Sequence, residues 1–441
     1  MRWPRRSAPR AARNPHYRSG YALVANTAGT AAIGVAYWAV AAHLYDRQSL
    51  GRSSALVSAL VLVSSIAQLN LANTLPRFLP VAYRRAGRLV LYSYGVSSAA
   101  ALAAGLAFIA VMPRLNAHWQ FLSGSPVLAD GFVLAAVIWG VFALQDAALT
   151  GLRRAVVVPV ENSVYGVLKL LLLISVAGML PATGIFLSWV LPLVLVVPAI
   201  NWLIFGRYLR DPDPLALGAR VRAGEIVRFA AVDYVGALLG QLHTNLLPLL
   251  VLSTLGAVAN GTFYIAWTIT SGLSLVAGNF ATSLLVEGAA APHRLAELTR
   301  GVLARSTLLT TVGIGALVLA AHPILSIYGA SYAAEASTLL ALLGLSVLPR
   351  SLLVLIFTLD RLERRVGRIT LSNLALTLLV LGGSWLTLTM THLGTNGVAL
   401  AWGGGNLALA LIRLPTLLGV IGHWPARARA AALERPSSGP A

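Results

Sequence analysis

Residues 146–173 read DAALTGLRRAVVVPVENSVYGVLKLLLL: an apolar run ends, Arg153 and Arg154 turn the chain, and a second apolar run begins. That second run carries Lys169, the single lysine among 33 basic residues. It sits about twelve residues past the turn, or roughly 18 Å of helix, near the midplane of a ~30 Å hydrocarbon core. A charge at that depth faces a cavity or a partner, so Lys169 is a candidate site residue. The turn recurs as LDRLERRVGRITLSNLALTLLVL, where Arg364, Arg365 and Asn373 stand 211 residues after Arg153, Arg154 and Asn162. Gly51 and Gly261 are 210 apart, and Arg88 and Arg300 are 212 apart. Five matches near one offset read as an internal duplication.

Composition agrees with a membrane as the main solvent: 57% of residues are hydrophobic, 11% are charged, and mean hydropathy is +0.77. The net charge of +19 is not a nucleic-acid footprint, because the arginines lie between apolar segments rather than on one soluble face. No cysteine is present, which excludes disulfides, thiolate metal sites and thiol nucleophiles. Apolar windows near 21–43, 53–75, 89–112, 128–150, 157–179, 183–205, 227–252, 260–286, 302–321, 334–358, 369–391 and 396–420 predict twelve spanning helices. The first exceeds the apolar core of a signal peptide and reads as a retained helix. Of the basic residues, 27 fall in the termini and in alternate loops, against Arg47, Arg52 and Arg114 in the remaining loops. The positive-inside rule places both termini in the cytoplasm.

The expected organisation is a basic segment 1–20, a six-helix bundle 21–205, a cytoplasmic linker 206–226 containing RDPDP, a second six-helix bundle 227–420, and a cytoplasmic tail 421–441. Six helices per half give both halves the same topology, hence parallel repeats about an axis along the membrane normal, with a central cavity between them. In the seventh helix Asp233, Gln241 and Thr244 share one side and leucines the other, so the polar side lines the cavity or packs against another helix. Asn26 gives the first helix a weaker version of this stripe, which continues through Gly34 and Tyr37. Asn162, Tyr165 and Lys169 share a face of the fifth helix, and Arg350 follows Pro349 roughly 14 Å into the tenth. Asp233 is the candidate for ion coupling or a structural role. Glu161, Asp146 and Arg413 fall near helix ends and read as interfacial, while His243 reads as a hydrogen-bonded core residue. No pattern supports a metal, a cofactor or a catalytic residue. The run Gly403-Gly404-Gly405 reads as close helix packing.

With twelve helices in two halves, the opening NTAGTAAIGVAYWAVAAHLYDRQSLGRSSALVSAL, the LTGLRRAVVVPVENSVYGVLKLLLL turn and LSIYGASYAAEASTLLALLGLSVLP, the chain resembles the polysaccharide transporter branch of the multidrug/oligosaccharidyl-lipid/polysaccharide exporter superfamily. These are flippases of lipid-linked oligosaccharides. The resemblance covers about residues 20–420 and rests on residue type, not on invariant motifs. It implies an all-α polytopic, MATE-like fold in the cell membrane and movement of a polyprenyl-diphosphate-linked sugar to the outer leaflet. Membrane lipids, the lipid-linked sugar and other polysaccharide-assembly proteins are the implied partners. Lys169 and Arg350 are the expected cations of the cavity, with Asn26, Tyr165 and Gln241 as sugar-facing polar groups. The alternative is a cation-coupled drug antiporter of the same superfamily. A polytopic enzyme of polysaccharide assembly is disfavoured, because the outer loops offer little beyond Asp46, Arg47, Arg52, Arg114, Asp130 and Glu335.

Overall fold

The computed structural model describes residues 29, 32–82, 85–210 and 223–422, without the side chains of residues 223, 232 and 233. Asn26, the Asp233 carboxylate, the segment 1–20, most of the linker 206–226 and the tail beyond residue 422 therefore lie outside the described residues. What is described is helical, and no strand occurs among the described residues. The helices that carry the fold are α1 (Ala32–Leu44), α2 (Arg47–Ala67), α3 (Leu71–Ala82), α4 (Ala86–Leu115), α5 (Pro126–Gly151), α6 (Val157–Val176) and α7 (Gly184–Leu203). They continue with α8 (Ala223–Leu255), α9 (Ala257–Ala290), α10 (Leu295–Leu319), α11 (Ala330–Leu362), α12 (Val366–Thr377, carried on to Met390) and α13 (Thr395–Gly422). Among the described residues eleven helices are long and apolar enough to cross a membrane, and α1 is a shorter apolar helix.

The second spanning segment departs from the sequence expectation of one helix over 53–75. It breaks after Ala67, where Leu69 and Asn70 take φ of 48° and 63°, and restarts as α3. Asn70 tolerates the left-handed region; it donates to the Ala230 carbonyl at 3.3 Å, and its own carbonyl accepts from the Thr74 hydroxyl at 2.9 Å. Asp46 caps the start of α2 by accepting from Ser49 N at 2.9 Å. Burial alone would raise the Asp46 carboxyl, but the hydrogen bonds from Ser49 outweigh it and hold the group below the usual carboxylate range.

The duplicated turn is visible in backbone geometry. After α5, Arg153 has φ 59°, with Arg153 N bonded to Thr150 O at 3.0 Å and Arg154 N to Leu149 O at 2.8 Å. After α11, Arg364 has φ 58°, with Arg364 N bonded to Arg361 O at 3.1 Å and Arg365 N to Asp360 O at 2.7 Å. Both are Schellman ends with an arginine where glycine is usual.

Gly51 and Gly261, matched in the sequence, meet each other where α2 crosses α9. A Cβ on Gly51 would run into the Ala257 carbonyl, and one on Gly261 would lie 3.2 Å from the Arg47 carbonyl and 3.3 Å from Gly51 N. Asn260 ties the crossing by donating to Gly51 O at 2.8 Å and Ser54 Oγ at 3.1 Å. Small residues let α2 sink between its neighbours. Its serines satisfy their hydroxyls locally, Ser54 on Gly51 O and Ser58 on Ser54 O, both at 3.0 Å. The glycine run of α13 behaves similarly: a Cβ on Gly405 would meet Val380 at 3.0 Å and one on Gly403 would meet Ser346 at 3.4 Å, while Gly404 has open space.

Candidate functional site

Lys169 is 7% exposed in the middle of α6, and three aromatic rings surround its ammonium. Nζ lies 4.0 Å from the Trp189 centroid, 4.6 Å from Tyr37 and 5.3 Å from Tyr165. The rings are held from behind. Tyr37 donates to Ile185 O at 3.0 Å and shares a 2.7 Å bond with Ser188, and Tyr165 donates to Trp189 O at 2.9 Å. Trp139 extends the cluster 5.4 Å from Trp189, and Phe142 lies 5.2 Å from Tyr165. Gly166 lets α1 approach, since a Cβ there would meet Ile33 at 3.0 Å. The resulting cavity of about 230 Å³ is lined by Gly34, Trp139, Asp146, Asn162, Tyr165 and Lys169, among others.

Among the described residues no carboxylate reaches ion-pair distance of Lys169. Glu161 lies two turns away on the same helix, roughly 12 Å along the axis. It is 2% exposed, with both carboxylate oxygens unpartnered. Asp146 accepts one 3.4 Å bond from Asn162 and leaves Oδ1 free. The interfacial reading of Glu161 and Asp146 is thus corrected: Glu161 is buried inside the protein and Asp146 lines the Lys169 cavity. Arg413 is corrected too. It forms a 2.5 Å ion pair with the fully buried Asp360 and donates to Ser372 Oγ at 2.8 Å.

Arg350 lies in a second cavity of about 140 Å³, between α8, α9, α11 and α13. Its guanidinium sits 5.7 Å from the Trp402 centroid, and buried Nη1 has no partner. Trp402 meets Trp267 edge-on at 4.8 Å. Hydroxyls of Thr244, Thr270, Ser271, Ser274 and Ser346 line the rest. The Lys169 and Arg350 cavities share no lining residue. Each cation therefore stacks on a tryptophan of the last helix of its own half.

Of the expected polar groups, Tyr165 lines the first cavity, whereas Gln241 is exposed, accepts from Asn245 at 3.3 Å and lines neither; Thr244, one turn on, takes the place in the second. His243 is a core residue bonded through Nδ1 to Leu239 O at 2.9 Å, with Nε2 unpartnered beside Trp402. Trp139, Trp189, Trp267 and Trp402 are absent from the sequence expectation. Their one available signal is that each sits inside an apolar run rather than at its end, where membrane tryptophans are enriched. Two charges of the short loops are structural: Arg47 pairs with Glu335 and donates to Thr262 Oγ1 at 2.8 Å, and Arg52 covers Phe121 at 5.3 Å.

No family model and no curated protein matches the chain. Solved structures do. An inward-facing multidrug resistance MATE family transporter of the MOP superfamily superposes with a TM-score of 0.69 at 15% identity, covering 93% of this chain and 96% of that one. A MOP superfamily transporter from Pyrococcus furiosus, described by its reverse polarity of the binding pocket, gives 0.64 at 14% over 92% and 96%. An outward-facing MATE transporter gives 0.60 at 13% over 95% and 97%. The fold is that of MATE transporters, a multi-pass membrane architecture.

Proposed function

We propose that the chain is a flippase that carries a polyprenyl-diphosphate-linked oligosaccharide from the cytoplasmic to the outer leaflet of the cell membrane, with both termini cytoplasmic. The observation that carries this reading is a pair of buried cations, Lys169 and Arg350, each lining a cavity and each without a carboxylate partner among the described residues. Cation–π contacts contribute on the order of 2 kcal/mol each when desolvated. They bring no countercharge, and burying an unpaired ion costs several kcal/mol after relaxation. An anionic ligand supplies the missing partner. A diphosphate diester carries about two negative charges, and an inside-negative potential drives it outward by roughly 2.3 kcal/mol per charge per 100 mV.

The test is complementation of a flippase-null strain by Lys169→Ala, Lys169→Arg, Arg350→Ala and Arg350→Lys, with membrane abundance followed by blot. Both alanine variants should lose surface polysaccharide at least about tenfold, since removing one partner of a desolvated charge pair costs ~2–5 kcal/mol. Lys169→Arg should retain part of it. Normal export by both alanine variants at normal abundance removes the reading.

A cation-coupled drug antiporter is the second reading, favoured by the buried, unneutralised carboxylates of Asp146 and Glu161. It predicts dye efflux that Glu161→Gln abolishes and Lys169→Ala spares, the reverse of the flippase pattern.

A further inference from the structure

The two cavities differ in chemistry. The Lys169 cavity is walled by aromatic faces, whereas the Arg350 cavity is walled by five hydroxyls and two indoles. Each hydroxyl spends its proton on its own helix: Thr244 on Gly240 O at 3.4 Å, Thr270 on Ala266 O at 2.9 Å, Ser271 on Trp267 O at 2.7 Å, Ser274 on Thr270 O at 3.1 Å and Ser346 on Leu343 O at 2.5 Å. In that arrangement the hydroxyl oxygens keep acceptor capacity. The wall thus accepts hydrogen bonds, the guanidinium donates them through a buried Nη1 that nothing else uses, and the tryptophans offer flat apolar faces. A sugar ring matches all three features: its hydroxyls donate, its C–H faces pack on indole, and an acidic substituent pairs with the fork of an arginine. At about 140 Å³ the cavity is far smaller than the ~300–1,000 Å³ of sites for drug-sized ligands. One ring is its natural occupant.

We propose that the cavity formed by Thr244, Trp267, Thr270, Arg350 and Trp402 is a subsite for one acidic sugar residue, a pyranose bearing a single carboxylate or phosphate, with the anion on Arg350. This deepens the flippase reading and rests on it for its biological meaning: the diphosphate goes to the Lys169 side and an acidic sugar of the glycan to the Arg350 side. It also accounts for why the two cations occupy separate cavities instead of converging on one group.

Binding is measured by saturation-transfer NMR on the full chain in lipid nanodiscs, with methyl glucuronide, glucose 1-phosphate and methyl glucoside as probes. At least one anionic probe is expected to bind tenfold or more tightly than the neutral glucoside. Arg350→Gln should erase that preference, Arg350→Lys should keep part of it, and Trp402→Leu should weaken every probe, with thermal melts confirming that each variant is folded. A preference for the glucuronide identifies the anion as a sugar carboxylate, and a preference for the phosphate identifies it as a sugar phosphate. Equal binding of the neutral and anionic probes, or an anionic preference that survives Arg350→Gln, overturns the assignment. Export and binding fail separately. Loss of export in Lys169 and Arg350 variants without any probe binding leaves the flippase reading standing and removes this subsite; probe binding without any effect of the variants on export supports the subsite and removes the flippase reading.

Discussion

Arg413 and Asp360 show what a charge does in this protein when it has a partner. Asp360 is fully buried, and Arg413 both neutralises it and reaches Ser372, joining α11, α12 and α13. In the first half no ion pair to Asp146 or Glu161 occurs among the described residues, and the position 211 residues before Arg413 is Trp202, which faces outward. Arg413→Ala strands a buried carboxylate and should destabilise the purified protein by ~3–5 kcal/mol, whereas Asp360→Leu combined with Arg413→Met should melt close to the native protein; equal melting of the single variant and the native chain would show the pair to be dispensable. Sequence could isolate Lys169 and Arg350 because a charge inside an apolar run is conspicuous. It could not tell Arg413 from an interfacial residue, because its distance from the helix end is the same in both cases and only tertiary packing brings Asp360 to it. The tryptophans of both cavities were hidden for the opposite reason: inside an apolar run they do not stand out by hydropathy.

At the level of elements, the repeat was legible as a residue offset and appears in the structure as matched turns. Arg153 and Arg364 both occupy the left-handed position that ends a helix in a Schellman motif. A side chain there costs ~1–2 kcal/mol relative to the right-handed region. Arg364 is exposed, so Arg364→Gly should raise thermal stability by about 0.5–1 kcal/mol while Arg364→Ala should not. No gain from glycine would mean that the turn is held by something other than its own backbone. The break between α2 and α3 was not legible, because Leu69 and Asn70 sit in an unbroken apolar window and the Pro residues of that segment, Pro76 and Pro80, lie beyond the break inside α3. Asn70 bonded to the Ala230 carbonyl is a contact between distant segments, which periodicity does not encode.

Across the whole molecule, the first and second sets of helices are joined at the end that carries the short loops. Arg47 pairs with Glu335 and lies 5.2 Å from the Tyr332 ring, Asn260 grips Gly51 and Ser54, and Asn116 and Trp119 donate to Ser253 O and Oγ at 2.8 and 2.9 Å. At the basic end the contacts between the sets are of another kind: Arg77 lies 4.3 Å from the Phe229 ring, and Tyr234 donates to Ile66 O at 2.9 Å. If parallel repeats rock about a central site, the polar latch at the short-loop end must part for substrate to leave there. The chain has no cysteine of its own, so a pair introduced as Ser54→Cys with Asn260→Cys can be oxidised without background. The Asn260 amide bonds the Ser54 hydroxyl at 3.1 Å, so the two positions face each other across the crossing of α2 and α9. Oxidation should halt export and reduction should restore it, while each single variant should export in both conditions. Full export with the cross-link quantitatively formed would mean that the two sets never separate at this end, and that the substrate crosses by a path other than alternating exposure of the cavities at Lys169 and Arg350.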